Sequence, residues 1–446
     1  MAATADAATP SVPLHAVSTR RGWVVTFAAA GTGLVLGILY VWSVVRGGIP
    51  QSWGWDNADM ALPYSVMCLA FAVTMVPAGR LQDRRGPRIA ILLGGLLAGL
   101  GCVVSALGGS SLAAYVIGFG VLTGSGVGLG YSATTPAAVK WFPPERTGMI
   151  AGIVVAGFAM APIVLAPLAA WLLNVFATTT ATGQTEKGVS ATMAVLGVVT
   201  WLVVGSLALL VRNPPEGYLA RPDRDARRGE ARVAGNEYGP REMLRTTQFW
   251  LLFAMFFFGA SAGLMFISVA ADLGKAALGS WAFLAVIVLA TGNAGGRILA
   301  GIVSDRIGRQ WTLFAEFACQ AAVVAVLFAL AGRGGAGAIL AVVFLLGFNY
   351  GANLALFPAA CKDYFGLRSF GLNYGCLFAA FGSAGLITPW LNGAIRDATG
   401  SYDQSYMIVI ALMLVAAALA QISRRLGQPA PRPARARELP AVGGSI

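Results

Sequence analysis

The sequence predicts an all-α polytopic membrane protein with twelve transmembrane helices arranged as six plus six, and three observations carry that reading. Apolar residues make up 57% of the chain and charged ones 11%, whereas soluble domains average about 45–50% and about 25%; the mean hydropathy is +0.72. Long apolar runs recur between short charged connections, and a membrane span needs about 20 such residues to cross a hydrocarbon core roughly 30 Å thick. The cations, finally, are unevenly placed along these connections.

Backbone in lipid must satisfy its own hydrogen bonds, so each apolar run reads as a helix. After an N-terminal tail at 1–21, spans are expected at 22–45, 59–79, 89–108, 112–138, 149–176 and 191–211, a bundle over 22–211. A second bundle over 246–423 holds spans at 247–270, 281–303, 311–331, 336–358, 372–394 and 405–422, followed by a disordered tail at 424–446. Between the bundles, 212–245 carries eight Arg interleaved with six acids and Pro214, Pro215 and Pro222. That composition makes a solvated linker; a basic amphipathic helix on anionic lipid is the alternative.

With the N-terminus in the cytoplasm, the outer connections hold only Arg46, Lys187, Lys275, Arg333 and Arg396, while the inner connections and both tails hold 25 Lys and Arg. The positive-inside rule therefore expects both termini in the cytoplasm of a multi-pass cell-membrane protein. The net charge of +12 belongs with the anionic inner leaflet rather than with nucleic acid. Cys68, Cys102, Cys319, Cys361 and Cys376 show no metal-like spacing and read as small core residues. No metal or cofactor is called for, and a monomer is expected.

The halves repeat in the same direction at a shift of 222 to 223 positions (Gly86 to Gly308, Gly128 to Gly351). Gly79-Arg80-Leu81-Gln82-Asp83-Arg84-Arg85-Gly86 meets Gly301-Ile302-Val303-Ser304-Asp305-Arg306-Ile307-Gly308, Gly124 meets Gly347, and Phe142 meets Phe365. Parallel six-span repeats describe a transporter whose halves are related by an axis along the membrane normal. Gly79 is expected to allow close helix approach and Asp83 to accept from a neighbouring helix N-terminus.

The string Gly79-x-Leu81-x-Asp83-Arg84-x-Gly86-Pro87-Arg88, with its second copy at Asp305, Arg306 and Gly308, resembles the loop signature of the major facilitator superfamily. Four further strings resemble the oxalate:formate antiporter branch and its monocarboxylate-transporter relatives: Leu36 to Val44, Gly128-Leu129-Gly130-Tyr131, Asn293-Ala294-Gly295-Gly296-Arg297, and Asn373 to Phe378. The resemblance implies a major facilitator fold and a transporter of small carboxylates.

Arg297 is the main candidate binding residue. It stands eight residues before Asp305, so about 12 Å of helix at about 1.5 Å per residue separates it from the cytoplasmic surface. An arginine at that depth costs at least about 2.5–3.5 kcal/mol on insertion scales and calls for a wet cavity or an anionic partner. A guanidinium fork meets a carboxylate through two parallel hydrogen bonds. Of the acids, only Glu316 falls inside a span, near its inner end, and the sole histidine, His15, is in the tail; proton coupling through a buried side chain is therefore poorly supported.

Two departures from the relatives bear on the substrate. The monocarboxylate relatives carry an Asp at the position of Asn293, which here does not titrate but can bond Arg297 from i−4. The oxalate-transporting members place a Lys at about the position of Phe381. One cation instead of two matches a monoanion such as lactate or formate. Tyr40, Tyr131 and Tyr350 lie mid-span in helices 1, 4 and 10 and offer hydroxyls to a carboxylate. A major facilitator carrier of a neutral solute or drug is the alternative; a membrane enzyme would want a buried acid, base or metal cluster and a receptor an appended domain.

Overall fold

The computed structural model describes residues 19–142, 147–179, 185–215, 238–330, 335–366 and 369–429. Among them, twelve helices are long and apolar enough to cross a membrane: α1 (Arg20–Arg46), α2 (Asn57–Gln82), α3 (Pro87–Leu107), α4 (Leu112–Val139), α5 (Met149–Val175) and α6 (Val189–Leu210), then α7 (Thr247–Ser268), α8 (Gly279–Ile307), α9 (Arg309–Ala329), α10 (Ala336–Phe365), α11 (Leu372–Thr399) and α12 (Asp403–Leu426). The connection from α6 to α7 lies on what we call the linker side; the opposite side is the far side.

Helices α8, α10 and α11 outrun their apolar stretches because helix-compatible polar residues continue them. Each stops where a glycine takes a positive φ: Gly308 at +90°, Gly366 at +81° and Gly400 at +75°, the left-handed conformation that ends helices at low steric cost. Two features have no counterpart in the expected spans. A second helix, Ala270–Leu278, follows α7, and the far-side connection from α5 to α6 carries an antiparallel hairpin, β1 (Thr178–Thr179) with β2 (Thr185–Glu186).

The centre of the 212–245 linker, most of both tails, His15 and Arg333 lie outside the described residues. The linker's flanks are docked: Trp141 donates from Nε1 to the Arg212 carbonyl at 2.8 Å. The Tyr238 amide donates to Phe365 O at 3.0 Å, and Asn373 donates to Tyr238 O at 2.9 Å.

Glycine sets the packing within each half, as small residues do where helices associate in lipid. A Cβ at Gly124 or Gly128 of α4 would meet the Met67 or Phe71 carbonyl of α2; one at Gly347 or Gly351 of α10 would meet the Leu289 or Asn293 carbonyl of α8. Between the halves, Gly382, Gly385 and Gly393 let α11 close on Ala72, Cys68 and Asn57 of α2.

The loop signatures require one expectation to be corrected. No close approach occurs at Gly79: a Cβ there would meet nothing within 4 Å, and the same holds for Gly301. The glycines that the geometry needs are Gly86 at φ +82° and Gly308 at φ +90°, which turn one helix straight into the next. In the second copy Asp305 pairs with Arg309 at 2.7 Å, and Arg309 also reaches Asp363 at 2.9 Å. Arg84 and Arg306 face solvent; the Asp83 side chain lies outside the described residues. Cys319 is likewise not a core residue but exposed, whereas Cys68, Cys102 and Cys361 are buried.

Candidate functional site between the two halves

Helix α8 brings Asn293 and Arg297 onto one face, one turn apart, and Arg297 donates from Nε to Asn293 Oδ1 at 3.1 Å. Asn293 in turn donates from Nδ2 to the Tyr40 hydroxyl at 3.4 Å. The Tyr40 and Tyr350 hydroxyls stand close to each other, and the Tyr131 hydroxyl stands beside the Arg297 guanidinium. Five of the six substrate-site candidates thus form one network drawn from α1, α4, α8 and α10. A guanidinium has more N–H groups than these bonds use, so its fork remains able to grip a carboxylate.

Local sequence explains each placement. Helix α1 tightens into a 3₁₀ turn over Gly37–Val41, where Gly37 lies against Ala161 and the Phe158 carbonyl of α5 with no room for a side chain. Tyr40 rides on that turn, 1% exposed. Gly263 of α7 leaves the space that the Tyr350 ring fills, and Gly296 seats α8 on the Phe348 carbonyl.

Aromatic rings wall the site. Tyr131 lies 4.8 Å from Phe158 and meets Phe71 edge-on at 5.6 Å; Phe158 lies 5.6 Å from Tyr40. The sixth candidate, Phe381, does not touch the polar network: it stacks on Phe378 at 4.7 Å and reaches Phe71 at 6.2 Å. Phe71, Phe158, Phe378 and Tyr374, whose ring lies 5.6 Å from Phe378, are absent from the sequence candidates. The repeat carried a signal for one of them, since Phe158 and Phe381 are related by the same 223-residue shift as Gly128 and Gly351.

Accessibility rises toward the linker side. On α8 Asn293 is fully buried while Arg297 is partly exposed, and on α11 Phe381 and Phe378 are buried while Tyr374 is partly exposed. The far side is tied shut across the halves. Asp397 of α11 accepts from the Asn57 amide at 3.0 Å, from Asn57 Nδ2 at 2.7 Å and from the Ala58 amide at 2.9 Å. Arg46 donates to Asn57 Oδ1 at 2.8 Å and stands 3.8 Å from Asp272. Beyond this seal lies a cavity of about 640 Å³ with Lys275, Arg396 and Tyr402 on its walls; it is a far-side mouth, separate from the Arg297 network.

Residues 22–371 and 280–444 match the model of the Major Facilitator Superfamily. The chain belongs to this superfamily. It is 28% identical to the oxalate:formate antiporter of Oxalobacter formigenes, covering 89% of this chain and 90% of that protein. It is 26% identical to monocarboxylate transporter 11 of Mus musculus, covering 88% and 85%. A crystal structure of a bacterial homologue of the human lysosomal transporter Spinster, inward-facing and unoccupied, superposes with a TM-score of 0.69 at 18% identity over 93% of this chain and 100% of that one. As a superfamily member the chain is a multi-pass membrane transporter, built from two six-helix repeats with the Arg297 network at their interface.

Proposed function

We propose that the protein carries small carboxylates, monocarboxylates such as lactate or formate, across the cell membrane by alternating access, with Arg297 as the anion anchor. The observation that carries this reading is a partly accessible arginine in mid-span that bonds Asn293 and is surrounded by tyrosines; among the described residues no carboxylate pairs with it. A cation so placed is costly unless an anion completes it. Phe381, packed on Phe378, gives that side of the site an apolar wall and no second cation, which suits a monoanion. The names of the antiporter and monocarboxylate relatives agree with this class. The linker side is the cytoplasmic one, where the cations gather, and rocking of the halves would break the Asp397 and Arg46 ties as the far side opens.

Counterflow of labelled lactate, formate and oxalate in proteoliposomes tests the reading. Arg297→Gln should lose roughly 2–5 kcal/mol of substrate binding, the cost of truncating one partner of a buried charge-assisted pair, while the protein still folds. Unchanged affinity in that variant removes Arg297 from the site, strong oxalate transport ends the charge-matching argument, and competition by sugars or cationic dyes instead of carboxylates overturns the substrate class.

A further inference from the structure

A second buried polar cluster lies inside the C-terminal half, where α9 packs against α10. Glu316 of α9 is 6% exposed. Asn353 of α10 donates from Nδ2 to Glu316 Oε1 at 2.9 Å and to the Asn349 carbonyl at 3.1 Å, which fixes its amide orientation. Glu316 Oε2, Asn353 Oδ1 and Gln320 Oε1 are then buried with no hydrogen-bond donor. Three buried acceptors on facing helices, one of them a carboxylate oxygen, lack a hydrogen to accept.

Among the described residues no side-chain cation supplies it. On α9 itself Arg309 is engaged by Asp305 and Asp363, and the Cys319 sulfur accepts from Asn349 Nδ2 at 3.7 Å. On α10, Tyr350 belongs to the Arg297 network, and Cys361, Lys362, Asp363 and Tyr364 lie in its last turns. On α12, Arg424 stacks over Trp311 and Arg425 is its neighbour at the linker end, while Asp403 and Tyr406 sit at the far end. On α8, Asp305 and Arg306 are exposed at the linker end, and α7 has no titratable residue.

The repeat shows that the fold does not need polar groups here. The positions of the N-terminal half equivalent to Glu316, Gln320, Asn349 and Asn353 are Gly94, Ala98, Gly126 and Gly130, where α3 and α4 pack backbone to backbone: a Cβ at Gly94 would lie 2.7 Å from Gly126 O and from Gly130 N. Four small residues in one half are four polar residues in the other. The cluster is also mechanically joined to the Arg297 network. Asn353 and Tyr350 project from one turn of α10 into the spaces left by Gly259 and Gly263 of α7, and Gly351 between them seats α10 on the Asn293 carbonyl.

We propose that Glu316 is a proton-binding site that couples proton movement to the substrate site through α10. The carboxylate takes one proton on Oε2, and releasing it returns the carboxylate, with no other bond made or broken. The identity of the co-transported anion rests on the carboxylate reading above: one monoanion at Arg297 and one proton at Glu316 then cross together without net charge.

The full-length protein in proteoliposomes, with labelled lactate and an imposed pH gradient, tests this. Wild type should accelerate about tenfold or more with the gradient, within the range of ordinary coupling between sites. Glu316→Gln, a permanent mimic of the protonated acid, should exchange lactate yet ignore the gradient. Infrared difference spectra of the wild type should show a carboxylic-acid carbonyl band that titrates with pH and is missing in Glu316→Gln. Gradient-driven uptake by Glu316→Gln, a sodium gradient that drives the wild type where a pH gradient does not, or the lack of a titrating acid band each overturns the proposal. The infrared readout on the wild type needs neither the variant to fold nor the substrate to be known. A wild type with the titrating band but no lactate or formate counterflow therefore counts against the carboxylate reading alone.

Discussion

The two halves share a scaffold and differ in what it carries. Gly128 seats α4 on the Phe71 carbonyl of α2, and Gly351 seats α10 on the Asn293 carbonyl of α8, so Phe71 and Asn293 occupy equivalent places, as do Met75 and Arg297 one turn on. The N-terminal half fills these places with an aromatic and a thioether, the C-terminal half with an amide and a cation. The glycines are the part of the design the repeat keeps, because backbone contact between helices tolerates no Cβ; the residues beside them are where the halves have diverged. The N-terminal half contributes Tyr40, Tyr131 and the Phe71 and Phe158 rings, groups that shape and hydrogen-bond a ligand without bringing a charge.

The largest expected effect breaks the shared scaffold. Gly351→Ala puts a methyl into the Asn293 carbonyl and must push α10 off α8, separating Tyr350 from Asn293. Overpacking of this kind costs about 1–3 kcal/mol or more, and thermal unfolding of the purified variant should show it together with loss of transport. Gly79→Ala is the contrast. Its Cβ meets open space, and replacing a helical glycine gains up to about 1 kcal/mol, so this variant should be no less stable than the parent. The next effect falls on selectivity and comes from giving the N-terminal half what the other has. Met75→Arg places a second cation at the equivalent depth, at an insertion cost of at least about 2.5–3.5 kcal/mol, and the protein that survives should gain oxalate uptake relative to lactate. An unchanged ratio would show that charge count does not set the preference.

Lipid makes the helices legible in sequence, because it demands a run of apolar residues and a helix at once, and every charge that interrupts a run is visible. Arg297 stands out for the same reason, and Asn293 follows from it at i−4. Aromatic residues offer no such contrast in an apolar helix, which is why Phe71 was not readable as a wall of the site and Phe158 only through its repeat partner Phe381. Partners far apart in the chain were not readable either. The far-side seal joins Asn57 to Asp397 across 340 residues, and Glu316 meets Asn353 across 37, pairings that exist only once helices have packed. The 3₁₀ turn at Gly37–Val41 arises from contact with α5, a tertiary cause that leaves no period in the sequence.

The smallest effect isolates what the N-terminal half adds to the cation. The Tyr131 hydroxyl stands beside the Arg297 guanidinium while its ring stays fixed by Phe158 and Phe71, so Tyr131→Phe removes one oxygen and leaves the wall standing. A hydrogen bond to a charged group contributes about 1.5–3 kcal/mol, but the guanidinium N–H groups can turn to the substrate, so the net change should be at most about tenfold in affinity, read from lactate counterflow as a function of concentration. If the hydroxyl orients the guanidinium fork, affinity falls; if it competes with the carboxylate for the same N–H groups, affinity rises. A fall would make Tyr131 a positioning residue and the site a joint product of both halves. A rise would leave Arg297, and with it the C-terminal half, as the sole source of anion affinity.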